Sequence, residues 1–327
     1  LNETEGARKM DKFVRSHHFY NYSINNELKI LNIALNINEG YCMQAGTTIV
    51  SVLENNKKLN LKFHIFIDDI SKNNKKIFND LAKTYSVDIH IYVMNMDEFK
   101  GFIAEKTRFT VVSLFRLCMS EIIKEQTDRF LYLDADVVCL HDLSTLVDMC
   151  MDDYVVAAVP DLAKERLEIF GIKGGRYFNS GVLLISCIEW EKENITDKLF
   201  AYRGKMDSRY EYPDQDLLNI VLNGKVQYLD KKYNFFGYYD AEMVSDCIIY
   251  HFIGREKPWK IALRDIEKKW RYYLSISPWP DIKEELPEKN PRDYFYYKTA
   301  AKYFFKQKNI IKAYFCLMWY SFLKIRK

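Results

Sequence analysis

Two common signatures of nucleotide-binding enzymes are absent from this chain of 327 residues. No G-x-G-x-x-G follows the first predicted strand, and no P-loop is present. The first absence disfavours a dinucleotide-binding fold, and the second disfavours a Walker NTPase. If the protein binds a nucleotide, we expect it to use other residues.

Cysteines are few, and long apolar runs are missing. The seven cysteines are irregularly spaced and form no CxxC, which argues against a disulfide framework or a zinc site and favours a reducing compartment. The first thirty residues contain no apolar run typical of a secretory signal. The most apolar late stretch, Ala313–Leu323, is far shorter than the roughly 20 residues of a membrane-spanning helix. We therefore expect a cytoplasmic protein.

Neither sign of charge dominates the whole chain, because 48 basic and 45 acidic residues leave a net charge of +3. We expect no nucleic-acid partner from this balance. The distribution is uneven, however: residues 290–327 carry +8 and residues 1–289 carry −5. Such asymmetry predicts an anionic surface as a partner of the C-terminal segment.

Residues 294–307 of this segment are predicted to form an amphipathic helix that lies in a bilayer interface. Lys298, Lys302 and Lys306 form a basic stripe at helical spacing, and Tyr297 and Ala300 lie mostly on the opposite side. The alternative is a pair of C-terminal helices packed on the α/β domain.

Short apolar runs alternate with helical patterns from residue 28 onward. The predicted strands are Ile30–Leu35, Leu61–Ile67, Ile89–Val93, Phe130–Leu133, Tyr154–Val159 and Val182–Ile185. The predicted helices are Cys42–Glu54, Asn73–Thr84, Val111–Ile123 and Trp190–Tyr202. This alternation predicts an α/β fold with a mostly parallel sheet, in which ligands bind beyond the carboxyl ends of the strands. We divide the chain into a polar leader (1–27), an α/β domain (28–260) and a basic, aromatic extension (261–327).

The sharpest local feature is Asp134-Ala135-Asp136, directly after the apolar strand Phe130–Leu133. Residues i and i+2 of a strand point to the same face, so the two carboxylates are expected side by side. A hard divalent cation such as Mg²⁺ or Mn²⁺ would relieve their repulsion. The alternative is a turn with two solvated aspartates.

A second candidate follows the apolar stretch that ends at His251. The His251 imidazole could bind a metal, Gly254 permits close backbone approach to an anion, and Lys257 suits a phosphate. A lone histidine at the end of a strand is, on the other hand, commonly a packed or surface residue.

Two further segments are weaker when taken alone. In Arg176–Leu184, Asn179 and Ser180 precede a glycine and a buried strand, which is a turn signal. In Tyr212–Asn219, Pro213 or Asp214 could start a helix whose first turn carries Gln215 and Asp216. That turn is either an acidic helix start or a set of one amide and two carboxylates at an open site.

The order and spacing of these four segments resemble the retaining glycosyltransferases of family 8. The chain reads LYLDADVV, YFNSGVLLI, PDQDLLN and HFIGREKPW in that order, between Leu131 and Trp259. Ser277-Pro278-Trp279 and the basic aromatic tail are further similar to the branch of this family that extends the bacterial lipopolysaccharide core. The resemblance covers roughly residues 28–260.

The resemblance implies a GT-A fold and a hexosyltransferase that uses UDP-glucose or UDP-galactose with Mn²⁺ (or Mg²⁺). It implies a lipopolysaccharide core acceptor and a peripheral position on the inner face of the cytoplasmic membrane. The implied metal ligands are Asp134, Asp136 and His251. The implied donor-binding residues are Asn38, Arg116, Asp134, Ala135, Asp161, Asn179, Gly254 and Lys257. The implied catalytic residues are Gln215 and its neighbours Asp214 and Asp216.

One position departs from the family's pattern. The family usually has an aspartate after the first strand that contacts uracil, and here Asn38 stands in its place. An asparagine can still accept a hydrogen bond from the uracil N–H, and it adds donors. Retention of configuration is expected through a same-face displacement with Gln215 stabilising positive charge, or through Asp216 if that carboxylate faces the anomeric carbon.

Two other functions stay open at this point. One is a different family 8 transferase with a protein or polysaccharide acceptor. The other is a non-catalytic module that binds a sugar nucleotide, which the intact set of Asp134, Asp136, His251 and Lys257 disfavours.

Overall fold

A computed structural model describes residues 12–24, 27–102, 111–163, 165–237, 245–286 and 290–326. The chain divides into two units, Leu1–His251 and Phe252–Lys327. Gly254 and Lys257 belong to the second of these units. The division near residue 260 stays a prediction.

The strands of the described residues all lie in the first unit. They are Val14–Tyr20 (β1), Ile30–Ile37 (β2), Asn60–Ile67 (β3), Asp88–Met94 (β4), Arg129–Leu133 (β5), Val137–Cys139 (β6), Val156–Pro160 (β7), Phe178–Ser186 (β8), Val226–Tyr228 (β9) and Ile249–His251 (β10). Eight of them form one sheet in the order β1-β4-β3-β2-β5-β8-β7-β9, and β6 pairs with β10.

The large sheet is mixed, with parallel pairs in the majority. The pairs β4–β3, β3–β2, β2–β5 and β7–β9 are parallel, whereas β1–β4, β5–β8 and β8–β7 are antiparallel. The central strand β2 is buried from Leu31 to Ile37, as expected of a strand covered on both faces. The predicted α/β fold with a mostly parallel sheet is confirmed.

One strand lies inside the segment interpreted as a polar leader. Val14–Tyr20 pairs antiparallel with β4 at the edge of the sheet. Its side chains are exposed or half-buried, so the sequence shows no apolar run there. Residues 1–11 and 25–26 of the leader lie outside the described residues.

The helices of the first unit lie between the strands. In the part of the unit that the structure describes, they are Cys42–Asn55 (α1), Lys72–Tyr85 (α2), Met119–Ile123 (α3), Ser144–Val147 (α4), Glu165–Ile169 (α5), Cys187–Lys192 (α6), Ile195–Phe200 (α7) and Pro213–Val221 (α8). Local sequence sets the bounds of α2: the Ser71 side chain accepts from the Asn74 backbone N–H, and Ser86 ends the helix in the left-handed region.

Two predicted helices are each broken in the structure. The segment predicted as Val111–Ile123 consists of a 3₁₀ helix, Val111–Leu117, followed by α3. The segment predicted as Trp190–Tyr202 consists of α6 and α7, with Asn194 between them in the left-handed region. Both segments are apolar enough to match a helical period, which does not reveal such interruptions.

The described residues of the second unit form three helices: Asp265–Ser275 (α9), Tyr294–Lys306 (α10) and Ile310–Ile325 (α11). Side chains of α10 and α11 form a small apolar cluster of Tyr297, Ala300, Ala301 and Cys316. Among the residues described, no helix combines the length and the apolar character needed to cross a bilayer.

Candidate active site

The carboxyl ends of three strands and the beginning of a fourth meet at one edge of the large sheet. Parallel pairing aligns β2 with β5, so Asn38 and Asp134 follow neighbouring strands. Strand β8 runs in the opposite direction, which brings its first residues to the same edge. There the Asp134 N–H donates to the Gly181 carbonyl at 2.8 Å, and the Asp161 N–H donates to the Tyr177 carbonyl at 2.8 Å.

The register of the small sheet brings a histidine to the two aspartates. His251 pairs with Val137, the residue after Asp136. Its Nε2 lies 3.1 Å from Oδ1 of Asp136 and 3.7 Å from Oδ2 of Asp134. One ligand atom from each of the three residues lies within 4.8 Å of the others. The structure therefore brings together the three residues predicted to hold a metal.

This donor set fits a hard divalent cation. Two carboxylate oxygens and one imidazole nitrogen are ligands that Mg²⁺ and Mn²⁺ accept. Gly181 keeps the space between them open, because a Cβ atom on this residue would lie 2.2 Å from Cε1 of His251 and 2.8 Å from Oδ2 of Asp134. Distances below 3.0 Å from a Cβ atom do not occur in relaxed structures.

Arg116 is buried behind Asp134 and fixes it. Its Nη2 donates to Oδ1 of Asp134 at 2.8 Å, and its Nη1 donates to the Ser180 carbonyl at 2.8 Å. The guanidinium carbon lies 4.4 Å from the centre of the Tyr132 ring. Burial acts to lower the pKa of Arg116, but the carboxylates of Asp134 and Asp214 hold it above its ordinary value. Arg116 thus stays charged and orients a predicted metal ligand.

Helix α8 begins with Pro213 and places Gln215 beside β8. The Ser180 N–H donates to Oε1 of Gln215 at 2.9 Å, and Nε2 of Gln215 lies 3.3 Å from Oδ2 of Asp161. The Asn179 side chain donates to the same Asp161 oxygen at 2.9 Å. The three predicted residues Gln215, Asp161 and Asn179 therefore share one hydrogen-bonded group.

The two acidic neighbours of Gln215 are buried and bonded. Asp214 lies 3.2 Å from Nη1 of Arg116, and its Oδ2 accepts from the Ser180 hydroxyl. Burial raises the pKa of the Asp214 carboxyl, against the opposing effect of Arg116. Asp214 thus lies behind Arg116, on the protein side of the site.

Asp216 is fully buried, and both of its oxygens are occupied. Arg166 binds it through two hydrogen bonds, the Tyr177 hydroxyl donates to Oδ1 at 2.6 Å, and the Tyr212 N–H donates to Oδ2 at 3.0 Å. Both oxygens of Asp216 are therefore engaged by protein groups. Through the Tyr212 N–H this carboxylate also fixes the start of α8.

Two other predicted residues lie at the same edge. Asn38 is half-buried, immediately after β2 and before the 3₁₀ helix Glu39–Tyr41. Ala135 is buried, and its carbonyl accepts from the Thr48 hydroxyl at 3.1 Å. This bond ties the Asp-Ala-Asp turn to helix α1.

Gly254 and Lys257 lie in the second unit, in the loop between β10 and α9. Gly254 has a φ of +86°, in the left-handed region that favours glycine, and nothing lies within 4 Å of the position of a Cβ atom. The Lys257 ammonium donates to the Phe252 carbonyl at 2.5 Å and lies 5.6 Å from the centre of the Trp259 ring.

Sequence reasoning missed several residues that support the site. The Tyr132 hydroxyl lies 2.5 Å from Oδ1 of Asp134 and also contacts the side chain of Asn36. The side chain of Asn234 lies 3.0 Å from Nδ1 of His251. Tyr132 could have been identified from the sequence, because side chains alternate along a strand and Tyr132 lies two residues before Asp134, on the same face. No local signal identifies Asn234, which comes from a part of the chain without a motif.

Comparison with known proteins agrees with this geometry. The model of the family described as Glycosyl transferase family 8 matches residues 32–262. The lipopolysaccharide 1,3-galactosyltransferase of Salmonella typhimurium is 30% identical over 89% of this chain and 90% of its own length. The lipopolysaccharide glucosyltransferase WaaO of Escherichia coli is 28% identical over 96% of this chain and 97% of its own length.

A solved structure shows the same fold. The galactosyltransferase LgtC, solved in complex with donor and acceptor sugar analogs, superposes with a TM-score of 0.65 at 24% identity and covers 75% of this chain and 95% of its own. The matched family model spans well over half of the chain and includes the Asp-Ala-Asp turn, the start of β8, helix α8 and His251. The chain belongs to glycosyl transferase family 8 and is a hexosyltransferase with the GT-A fold.

Proposed function

We propose that this enzyme transfers glucose or galactose from a UDP-sugar to a sugar hydroxyl of the lipopolysaccharide core, with retention of the α configuration. Relatives that match about nine-tenths of the chain or more are named as lipopolysaccharide galactosyl- and glucosyltransferases, which supports this acceptor class. The observation that carries the proposal is the cluster of Asp134, Asp136 and His251 beside the group of Gln215, Asp161 and Asn179.

One set of residues is proposed to bind the metal and the UDP part of the donor. Asp134, Asp136 and His251 would hold Mn²⁺ or Mg²⁺, and a bound cation stabilises the negative charge of a departing diphosphate. Gly254 and Lys257 are proposed to contact the same diphosphate through a backbone N–H and a point charge. Asn38 is proposed to contact uracil, which it can do through its side-chain amide.

Asp161 and Asn179 are proposed to bind hydroxyls of the donor sugar. One oxygen of Asp161 already accepts from both Asn179 and Gln215, which fixes the group before a donor arrives. The Arg116 guanidinium is held by Ser113, Ser180, Asp134 and Asp214. We therefore propose that it acts on the donor mainly by holding Asp134.

Retention is proposed to occur by same-face displacement. A double displacement needs a carboxylate within reach of the anomeric carbon, as in retaining glycosidases. Both oxygens of Asp216 are bonded to Arg166, and Asp214 is paired with Arg116. The Gln215 carbonyl oxygen, fixed by the Ser180 N–H, would stabilise positive charge on the sugar, and the departing phosphate would take the acceptor proton.

The C-terminal extension is proposed to bind the anionic inner face of the cytoplasmic membrane. Helix α11 exposes a row of large apolar residues at helical spacing: Ile311, Tyr314, Phe315, Met318, Phe322 and Ile325. Lys308, Lys312, Lys324 and Arg326 flank this row. An apolar face bordered by basic residues is typical of a helix that lies in a bilayer interface.

We propose that α11 carries this surface and not α10. Tyr297 and Ala300 of α10, expected on a lipid-facing side, are buried against α11. Lys306, expected in a basic stripe with Lys298 and Lys302, binds Glu284 at 2.7 Å. The apolar face of α10 is therefore used within the second unit.

The test of the proposed function is a donor and acceptor panel. Purified protein is incubated with Mn²⁺, each of several UDP-hexoses and truncated lipopolysaccharide cores, and UDP release and glycan mass are measured. We expect one hexose to be added from UDP-glucose or UDP-galactose, and no addition by Asp136→Asn. Transfer to a protein or polysaccharide, with no transfer to any lipopolysaccharide core, would contradict the proposed acceptor. Binding of a UDP-sugar without any turnover would contradict the proposed activity.

A further inference from the structure

A chain of hydrogen bonds joins the backbone of β8 to His251 and fixes the orientation of each amide along it. It starts at Gly181, whose N–H donates to the Asn179 side chain at 3.0 Å. A backbone N–H can only donate, so the atom of Asn179 that faces it must be the amide oxygen. The amide nitrogen of Asn179 then faces Asp161, whose carboxylate accepts at 2.9 Å.

Asn234 continues the chain toward the metal cluster. Its side chain contacts the same Asn179 oxygen at 2.8 Å, so the contacting atom must be the amide nitrogen. The amide oxygen of Asn234 consequently faces Nδ1 of His251 at 3.0 Å. Since an amide oxygen can only accept, Nδ1 of His251 must carry a proton. This assignment follows from the fixed backbone donor and does not depend on an arbitrary choice of amide orientation.

The remaining imidazole nitrogen, Nε2, is the one that faces Asp134 and Asp136. In a neutral imidazole with a proton on Nδ1, the lone pair lies on Nε2, where a metal would bind. The second nitrogen of a metal-bound histidine is ordinarily held by a hydrogen-bond acceptor of this kind.

Asn234 is itself held rigidly. It is almost fully buried and follows the 3₁₀ helix Lys231–Tyr233. The next residue, Phe235, donates to the Ile249 carbonyl at 2.9 Å and accepts from the His251 N–H at 2.8 Å. Asn234 therefore keeps its place beside the strand that carries His251.

We propose that Asn234 is a positioning residue that fixes His251 in the tautomer with the proton on Nδ1 and thereby prepares Nε2 to bind the metal. The inference rests on the proposed function in one respect, namely that Asp134, Asp136 and His251 bind a metal. Through Asn179 and Asp161 the same chain reaches Gln215, so the metal ligand and the sugar-facing group share one set of hydrogen bonds.

The experiment compares Asn234→Leu, which removes the acceptor at similar volume, with Asn234→Asp, which keeps an acceptor facing Nδ1. Mn²⁺ affinity is measured by calorimetry in the presence of UDP. We expect Asn234→Leu to weaken Mn²⁺ binding by about 10–100-fold, the usual effect of losing such a partner. We expect Asn234→Asp to restore part of this affinity, because its second oxygen faces the Asn179 oxygen without a donor. Equal affinities for wild type and Asn234→Leu would overturn the proposal.

Asn56 provides a matched control. It is equally buried and makes three side-chain hydrogen bonds within the first unit, to Val52, Cys139 and Leu143. Asn56→Leu should lower the melting temperature and leave the Mn²⁺ affinity unchanged. If it weakens metal binding as much as Asn234→Leu does, the effect of Asn234 is one of general stability and the proposal fails.

Nitrogen NMR of the imidazole side chains tests the tautomer without activity or metal. The His251 signals are assigned from their loss in His251→Ala. We expect Nδ1 of His251 to carry a proton in the metal-free wild-type protein and to exchange this proton faster with water in Asn234→Leu. A wild-type Nδ1 without a proton would overturn the proposal. Failure of the wild type to bind Mn²⁺ would instead contradict the proposed function, and this spectrum would still decide the tautomer.

Discussion

Gly181 and His251 approach so closely that no side chain fits between them. A Cβ atom on residue 181 would lie 2.2 Å from Cε1 and 2.7 Å from Nδ1 of the imidazole. The glycine belongs to β8 and the histidine to β10, so two separate sheets meet at this contact. The glycine of the F-N-S-G segment is therefore required by the geometry of the metal cluster and not by an unusual backbone angle.

Gly181→Ala should displace His251 and remove most of the Mn²⁺ affinity while the chain still folds. We expect transfer to fall by about 10²–10³-fold, comparable with the loss of one electrostatic contact in a transition state. Calorimetry with Mn²⁺ and a transfer assay measure the two effects. Gly175→Ala is the control, because the one close contact of its added methyl is with Oδ1 at the end of the Asn223 side chain, which can move. Wild-type Mn²⁺ affinity in Gly181→Ala would contradict the arrangement described here.

Gln215→Ala should lower kcat more than it changes KM for the donor. The carbonyl oxygen of Gln215 is fixed by the Ser180 N–H, and its amide nitrogen faces Asp161 and not the metal cluster. An interaction made only in the transition state affects kcat without affecting ground-state binding. Steady-state kinetics with UDP-sugar as the varied substrate measure both constants. A large rise in KM at unchanged kcat would show that Gln215 serves donor binding instead.

Arg166→Met should destabilise the first unit by about 3–5 kcal/mol, because it leaves the buried Asp216 carboxylate without its cation. Arg166 and Asp216 are 5% and 0% exposed at the side chain, and their shortest contact is 2.5 Å. The measurement is urea-induced unfolding followed by fluorescence. Lys198→Met is the control: its pair with Glu193 is partly exposed, and such pairs contribute at most about 1 kcal/mol. A change below 1 kcal/mol for Arg166→Met would contradict the structural role assigned to Asp216.

The sequence predicted the parts of the site that follow directly from strands and helix starts. Asp134 and Asp136 follow an apolar strand, and α8 begins at the predicted Pro213. The proximity of His251 to Asp134 and Asp136 could not be derived from periodicity. It depends on the pairing of β6 with β10, which are separated by more than 100 residues. That prediction came from the resemblance to family 8, whose motifs carry this long-range information.

The burial of Asp214 and Asp216 could not be predicted from the sequence either, because it also depends on contacts between distant segments. Asp214 and Asp216 look alike in the motif, and both appeared available for catalysis. Their partners, Arg116 and Arg166, come from distant elements that only the tertiary fold brings to α8. The edge strand Val14–Tyr20 was missed because an exposed strand carries little apolar alternation.

Replacing exposed apolar residues of α11 by glutamate should release the enzyme from anionic vesicles. Met318 and Ile325 are 69% and 86% exposed and lie seven residues apart, on one face of the helix. Their substitution removes apolar area that would enter the interface and introduces repulsion from anionic lipid, to which each nearby basic residue contributes about 1 kcal/mol of attraction. Flotation with vesicles of mixed neutral and anionic lipids, at low and at moderate salt, measures binding.

Turnover of a water-soluble acceptor should be unchanged, since no residue of α11 belongs to the metal cluster or to the Gln215 group. Lys268→Glu is the charge-changing control in the same unit, because Lys268 lies on α9 and pairs with Asp265 on the surface. If Met318→Glu/Ile325→Glu floats as fully as the wild type, or if the wild type never binds these vesicles at moderate salt, the apolar row of α11 is not a membrane-binding surface.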